Sequence, residues 1–389
     1  MKIENLKNEC TACAACAARC PKNCVEMRMD DEGFYFPVID TKKCVHCGLC
    51  EKVCHCLNQK NAPNVRTSYC GFTQDDKTLN DSSSGGAFSA LAGLVLRDGG
   101  AVYGAAFDYD DLLLKHCSSD EVGLGALRRS KYVESAVNAG VLRRIQDDLN
   151  AGRRVLFCGT PCQVSGLLQF IDDKEERLIT VDFICHGVPS GRLFQEYLRA
   201  VCRKGKIRKV YFRNKFFDWG QHCLIVDSTA KTFIRNAPSD IFLQGFYKNV
   251  FLRRSCYRCR YKNVRRADIT LADFWKWRDY DSTMNVKRGL SLIVANNERG
   301  RQLIEAMENF ELTRIDNRYS EYAFYTDDCE RSSLKREQFF EAYRRYGFKK
   351  AVFKTHLRED AGAVLKFYLK HGWKVLKIKR ALRRSKHSL

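Results

Sequence analysis

Cys10-Thr-Ala-Cys13-Ala-Ala-Cys16-Ala-Ala-Arg-Cys20-Pro21 and Cys44-Val-His-Cys47-Gly-Leu-Cys50-Glu-Lys-Val-Cys54 repeat one pattern, C-x2-C-x2-C-x3-C. This is the spacing by which 4Fe–4S cubanes are held in bacterial ferredoxins. Three thiolates on one tight loop cap three irons of a cube, and the fourth, carried past the turn, ligates the other cube. The pattern assigns Cys10, Cys13, Cys16 and Cys54 to one cluster and Cys44, Cys47, Cys50 and Cys20 to a second. Zinc takes its ligands as two pairs and has no use for a third cysteine at the next gap. Disulfides need an oxidising compartment, and residues three apart in such loops seldom suit S–S geometry. Pro21 follows the first run, whereas His55 follows the second. That change alters the turn without removing a ligand.

Around these runs lie 389 residues, 45% hydrophobic and 12% aromatic, enough for two or three cores. Twenty cysteines far exceed ordinary usage, yet a chain this rich in core residues needs no disulfide scaffold. The opening MKIENLKNEC carries no apolar signal segment, and no apolar run approaches membrane-spanning length. A reducing, cytoplasmic setting is expected. Of the formal charge of +21, a large part lies between Arg344 and Leu389, where fifteen Lys and Arg face only Glu359 and Asp360. The rest of the chain carries the remaining excess, which bound clusters of about −2 each would largely offset. The basic character therefore belongs to the C-terminal tail, which weighs against nucleic-acid binding as the primary function.

Four regions follow from the pattern: 1–66 around the two cysteine runs, 67–150, 151–330, and a basic helical tail over 331–389. Phe34 to Ile39 reads as a strand connecting the two cysteine loops, and the polar stretch from Asn58 to Thr67, with Pro63, as a linker. Cys24 and Cys56 fall outside the spacing and read as ordinary small thiols. Asp81-Ser-Ser-Ser84-Gly85-Gly86-Ala-Phe88 precedes an apolar run, which predicts a capped helix whose start offers N–H groups to an anion. Gly99–Phe107 and Leu112–Cys117 read as an antiparallel pair. Lys131-Tyr132 lies in a polar turn, where such a pair is usually solvated, and a helix is expected over Ala139–Leu149.

From Arg153 the pattern becomes strand–turn–helix, twice: Val155–Cys158 with Gly159-Thr160-Pro161-Cys162-Gln163, then Leu178–Ile184 with Cys185-His186-Gly187. Such alternation places sites at strand C-terminal ends. Strands are expected over 209–216, 222–228 and 289–295, and helices over 239–252 and 297–309. Cys162, Cys185 and the pair Cys256-Tyr-Arg-Cys259 are four further candidate thiolates. Spacing alone leaves zinc, an iron–sulfur cluster and four unrelated thiols open.

Ser83–Phe88, Ser130-Lys131-Tyr132, Gly159–Gln163, Phe183–Gly187 and Cys256–Cys259 followed by Ala267-Asp268-Ile269 arrive in the order in which the sequence resembles the beta-subunit family of coenzyme F-420 hydrogenases and dehydrogenases. The resemblance covers roughly residues 68 to 330. With its leader, the chain is similar to the bacterial branch, often associated with cell-surface polysaccharide biosynthesis, and to ferredoxin-dependent chlorophyllide reductases. The resemblance implies an α+β fold: a ferredoxin-like two-cluster domain, then a mixed α/β domain binding FAD and a third 4Fe–4S cluster. It makes Cys162, Cys185, Cys256 and Cys259 the ligands of that cluster. It puts flavin phosphates near Ser84, Gly85, Gly86, Gly159 and Thr160, with Lys131 as cationic partner and Tyr132 beside it.

The expected activity is an oxidoreductase that draws single electrons from ferredoxin or another redox protein and passes them through FAD to a small organic substrate, with coenzyme F-420 as a further candidate carrier. His186 is the candidate proton donor, with a hydrogen bond toward the cluster as its other reading. The alternative function is an electron-transfer subunit with no substrate site of its own. The tail after Leu365 mixes aromatics with nine Lys and Arg and no acids. Such a helix either packs on its own domain or lies on an anionic membrane surface.

Overall fold

Apolar runs too short for helices, bounded by turn residues, become the strands of this protein. The computed structural model describes residues 3–60, 66–171, 175–262, 264–284, 286–322, 334–357 and 360–384. Its strands are β1 (Val25–Met29), β2 (Tyr35–Ile39), β3 (Thr67–Thr73), β4 (Ala101–Asp108), β5 (Leu113–Ser118), β6 (Ser135–Ala136) and β7 (Val155–Cys158). The series continues with β8 (Leu178–Phe183), β9 (Ile207–Tyr211), β10 (Cys223–Ser228), β11 (Thr232–Asn236), β12 (Ile269–Asp273), β13 (Ser291–Ala295) and β14 (Phe310–Ile315). Among the described residues they form three sheets: β1-β2, β11-β10-β9, and a nine-stranded sheet ordered β14-β3-β13-β12-β8-β7-β4-β5-β6.

The centre of the large sheet is parallel, with β4, β7, β8 and β12 running side by side. Helices cover both faces there, so Val155, Leu156 and Phe157 are all fully buried and the strand reads as an unbroken apolar run. Full burial of each such side chain contributes roughly 1.5–3 kcal/mol. β4 and β5 pair antiparallel, as the sequence predicts. The helix Pro161–Phe170 leaves the C-terminal end of β7, and the segment with Cys185 leaves that of β8.

The first cysteine run wraps the helix Ala15–Arg19, and the second runs into Leu49–Lys52. Between them lies a hairpin, β1-β2, of which only the second strand is legible in the sequence. Its turn is tied down at Glu32. That buried carboxylate pairs with Arg336, with Arg344 at 2.6 Å and with Arg254 at 3.1 Å. Gly33, at φ +81°, closes against Ser190 and Arg192, where a Cβ would lie 2.4 Å from that of Arg192.

Helices Leu334–Tyr346 and Phe348–Lys354 bury Phe339, Phe340 and Phe348 in a core shared with Phe34, Phe194 and Phe251. The first part of the basic C-terminal region is thus integral to the fold. The last helix, Ala361–Arg384, packs on the three-stranded sheet. Two expected helices are shorter than their patterns. The one over 239–252 is confined to Ile241–Tyr247, and Asn249 beyond it has φ +57°. The one over 297–309 runs Glu298–Glu305, capped by Asn297 on the Gly300 N–H at 2.8 Å. Part of the expected linker, residues 61–65, lies outside the described residues.

Candidate functional site

Three small cavities gather the three cysteine sets. One is lined by Cys10, Cys13, Cys16 and Cys54, a second by Cys20, Cys44, Cys47 and Cys50, and a third by Cys162, Cys185, Cys256 and Cys259. Cys56 also lines the first and Cys24 the second, with its sulfur 3.3 Å from that of Cys20. These two thiols therefore stand beside the sets rather than away from them. Among the described residues, no group of three or more His, Cys, Asp or Glu is gathered as a site for a single metal ion.

The first and third sets meet across one helix. Cys162 begins the helix Pro161–Phe170, and Gly166, one turn on, faces Cys13. A Cβ at Gly166 would fall 2.3 Å from the Cys13 Cβ, so only glycine allows that approach. His55 joins the same boundary. It hydrogen-bonds Thr11 Oγ1 at 2.9 Å and the Tyr261 hydroxyl, and burial lowers its pKa to about 3. Thr11 and Tyr261 in turn line the third cavity.

Arg253 locks the arrangement. Its guanidinium is buried and donates to the Cys10 carbonyl at 2.7 Å, Glu134 at 2.6 Å and the Tyr35 carbonyl at 2.6 Å. Burial pushes the Cys13 and Cys256 thiols up to about 12 and Cys162 up to about 11. The Arg253 charge works against that for Cys10, Cys162 and Cys256. Such thiols stay protonated until a metal displaces the proton, and a buried cation beside them suits a group of net negative charge. The donor sets fit iron–sulfur clusters.

A much larger cavity, about 480 Å³, adjoins the third set. Cys185, His186, Gly187 and Val188 line both. Its walls include Ser84, Gly86, Lys131, Tyr132, Gly159, Thr160 and His186. Gly85 does not reach it. That glycine lies behind the wall, where a Cβ would meet the Gly71 carbonyl at 2.2 Å and the Ser291 nitrogen at 2.8 Å.

The hydroxyls expected to cap the helix Ala87–Arg97 are used elsewhere. Ser82 Oγ donates to the Thr78 carbonyl, Ser83 Oγ accepts from the Ser130 N–H, and Ser84 Oγ donates to the Leu290 carbonyl. Gly86, at φ +91°, occupies the cap position and supplies no side-chain bond. The start of this helix thus faces the cavity without a side-chain cap, an arrangement suited to an anion. Thr160 and Gln163 form a capping box, with Thr160 Oγ1 also 3.1 Å from the Cys162 sulfur.

Lys131 is enclosed rather than solvated. Its Nζ donates to the carbonyls of Leu127, Arg128 and Arg129, and burial lowers its pKa to about 7. Tyr132 stacks on Phe246 at 5.0 Å, and His186 meets the same ring edge-on at 4.8 Å. Sequence reasoning missed Arg213, which is buried at the cavity, paired with Asp273 and within 5.4 Å of the Trp275 ring. It also missed His222, which bonds the Tyr247 hydroxyl and whose pKa burial lowers to about 4. Both lie in strand-like stretches where nothing local marks them.

Residues 152–318 match the family model that describes the C terminus of the coenzyme F420 hydrogenase/dehydrogenase beta subunit. Over that segment the chain is similar to this family. A chain from a solved structure of the F420-reducing [NiFe] hydrogenase complex of Methanosarcina barkeri is 14% identical, with a TM-score of 0.44. The match covers 75% of this chain and 90% of that one. No curated protein matches.

Proposed function

We propose that the protein is an oxidoreductase that takes electrons singly from a low-potential donor, ferredoxin or another redox protein, and delivers them in pairs to a small organic substrate. The observation that carries this reading is the contact between neighbouring sites. Cys16, Cys20, Cys44, Cys50 and Cys54 pack around one small core, Gly166 abuts Cys13, and the third set shares a wall with the large cavity. Iron–sulfur clusters on the three sets would supply one-electron transfer, and FAD in the large cavity would supply the two-electron chemistry that carbon substrates need.

The chain's own residues have separate tasks in this scheme. Cys47 is exposed, and so is Val45 at 56%, which favours the second run as the face for the donor. The start of Ala87–Arg97 would receive the flavin phosphates, with the Lys131 charge beside it. His186, on the shared wall, is the candidate group for handing a proton to the product. Coenzyme F-420 is a candidate hydride partner, and a polysaccharide precursor a candidate substrate.

Titration of the anaerobically prepared protein with FAD, followed by flavin fluorescence, tests this. A Lys with a depressed pKa is neutral above about pH 7, so an anion must draw a proton onto it there. Affinity for FAD is expected to weaken as pH rises through 7 toward 9. Lys131→Met is expected to weaken binding about tenfold, the scale of removing one nearby positive charge from a partly buried site, and to flatten the pH dependence. Absence of FAD binding at every pH would overturn the flavin reading.

A further inference from the structure

Helix Ala361–Arg384 has two apolar faces, and among the described residues only one is packed against the fold. Phe367, Val375, Ile378 and Leu382 are buried against Phe217, Ile225 and Ile234. Tyr368 fixes the rotation by donating to the Ile234 carbonyl at 3.2 Å and accepting from Arg235 at 3.0 Å. Away from that contact, Leu365, Leu369, Trp373 and Leu376 are 62%, 78%, 75% and 51% exposed. Their spacing of four, four and three residues puts them on one helix face. Four large apolar side chains on one exposed face exceed the scattered singles of an ordinary surface.

Charge decides what covers them. The helix carries eight Lys and Arg and no acid. Lys366, Lys370 and Lys377 are exposed and fall beside the apolar stripe by the same spacing. A second copy of this helix would bring eight like charges to the contact, whereas an anionic surface neutralises them. Lysine stems lie along an apolar surface with their charge in the headgroup layer. Among the described residues no helix is long and apolar enough to cross a membrane. We infer that this helix seats the folded protein on an anionic lipid bilayer, with Leu365, Leu369, Trp373 and Leu376 entering the headgroup boundary. The inference is independent of the redox reading.

The test is co-sedimentation of the full chain with vesicles of phosphatidylcholine alone or with phosphatidylserine. Binding is expected with phosphatidylserine, about tenfold or more weaker without it, and released by high salt. The double variant Leu369→Ser and Trp373→Ser alters only exposed positions; it should keep the thermal midpoint and lose sedimentation. Trp373 emission should shift to the blue with vesicles, and Trp373→Phe should abolish that shift. Equal sedimentation of parent and double variant would overturn the inference. So would a dimer in analytical ultracentrifugation that the double variant dissolves, because a second copy would then cover the stripe.

Discussion

Arg253→Met is expected to lower stability by about 3–5 kcal/mol, the cost of breaking a buried ion pair by removing one partner. The methionine leaves the Glu134 carboxylate buried without its cation and strips a donor from the carbonyls of Cys10 and Tyr35. Burial already raises the Glu134 pKa, and Arg253 opposes that rise. In the variant, folded Glu134 holds its proton to higher pH than the unfolded chain does. Stability then falls as pH rises above the carboxylate range, so the deficit against the parent should be larger at pH 8 than at pH 5. Thermal midpoints at matched iron loading measure this. The double variant with Glu134→Met should recover much of the loss, since both charges are gone. An unchanged midpoint for Arg253→Met would show that the two halves of the chain are held together elsewhere.

Gly166→Val should separate the first and third cysteine sets. Any Cβ there meets Cys13 at 2.3 Å, and the loop or the helix has to yield. Overpacking of this kind costs about 1–3 kcal/mol. The set of Cys20, Cys44, Cys47 and Cys50 lines a separate cavity and should keep its iron. Electron delivery into the large cavity should be slower than in the parent, because Cys13 and the Cys162 helix are forced apart. Stopped-flow reduction by dithionite, read separately at iron–sulfur and flavin wavelengths, distinguishes the two effects. Parent-like flavin reduction would contradict the proposed order of sites.

The parts of the site legible in the sequence are those that spacing encodes locally. Each cysteine run declares its own spacing, and β7 and β8 place Cys162 and Cys185 just past their C-terminal ends. Cys256 and Cys259 needed the family resemblance, because no local rule connects them to residues far earlier in the chain. The serines before Ala87 were legible as a helix start but not as to their partners, which lie on other elements. Gly85 reads as a phosphate cradle in sequence, yet its lack of a side chain answers the backbone of β3 and Ser291. Lys131 reads as solvated because enclosure by three carbonyls is a product of tertiary packing. Glu32 and Arg336, separated by 304 residues, show the same limit. Their pairing depends on the whole fold.

Iron and acid-labile sulfide per chain, measured on anaerobically purified protein, test the central claim most directly. Three cubanes predict about twelve of each. Zinc in their place, or iron without sulfide, would contradict the account.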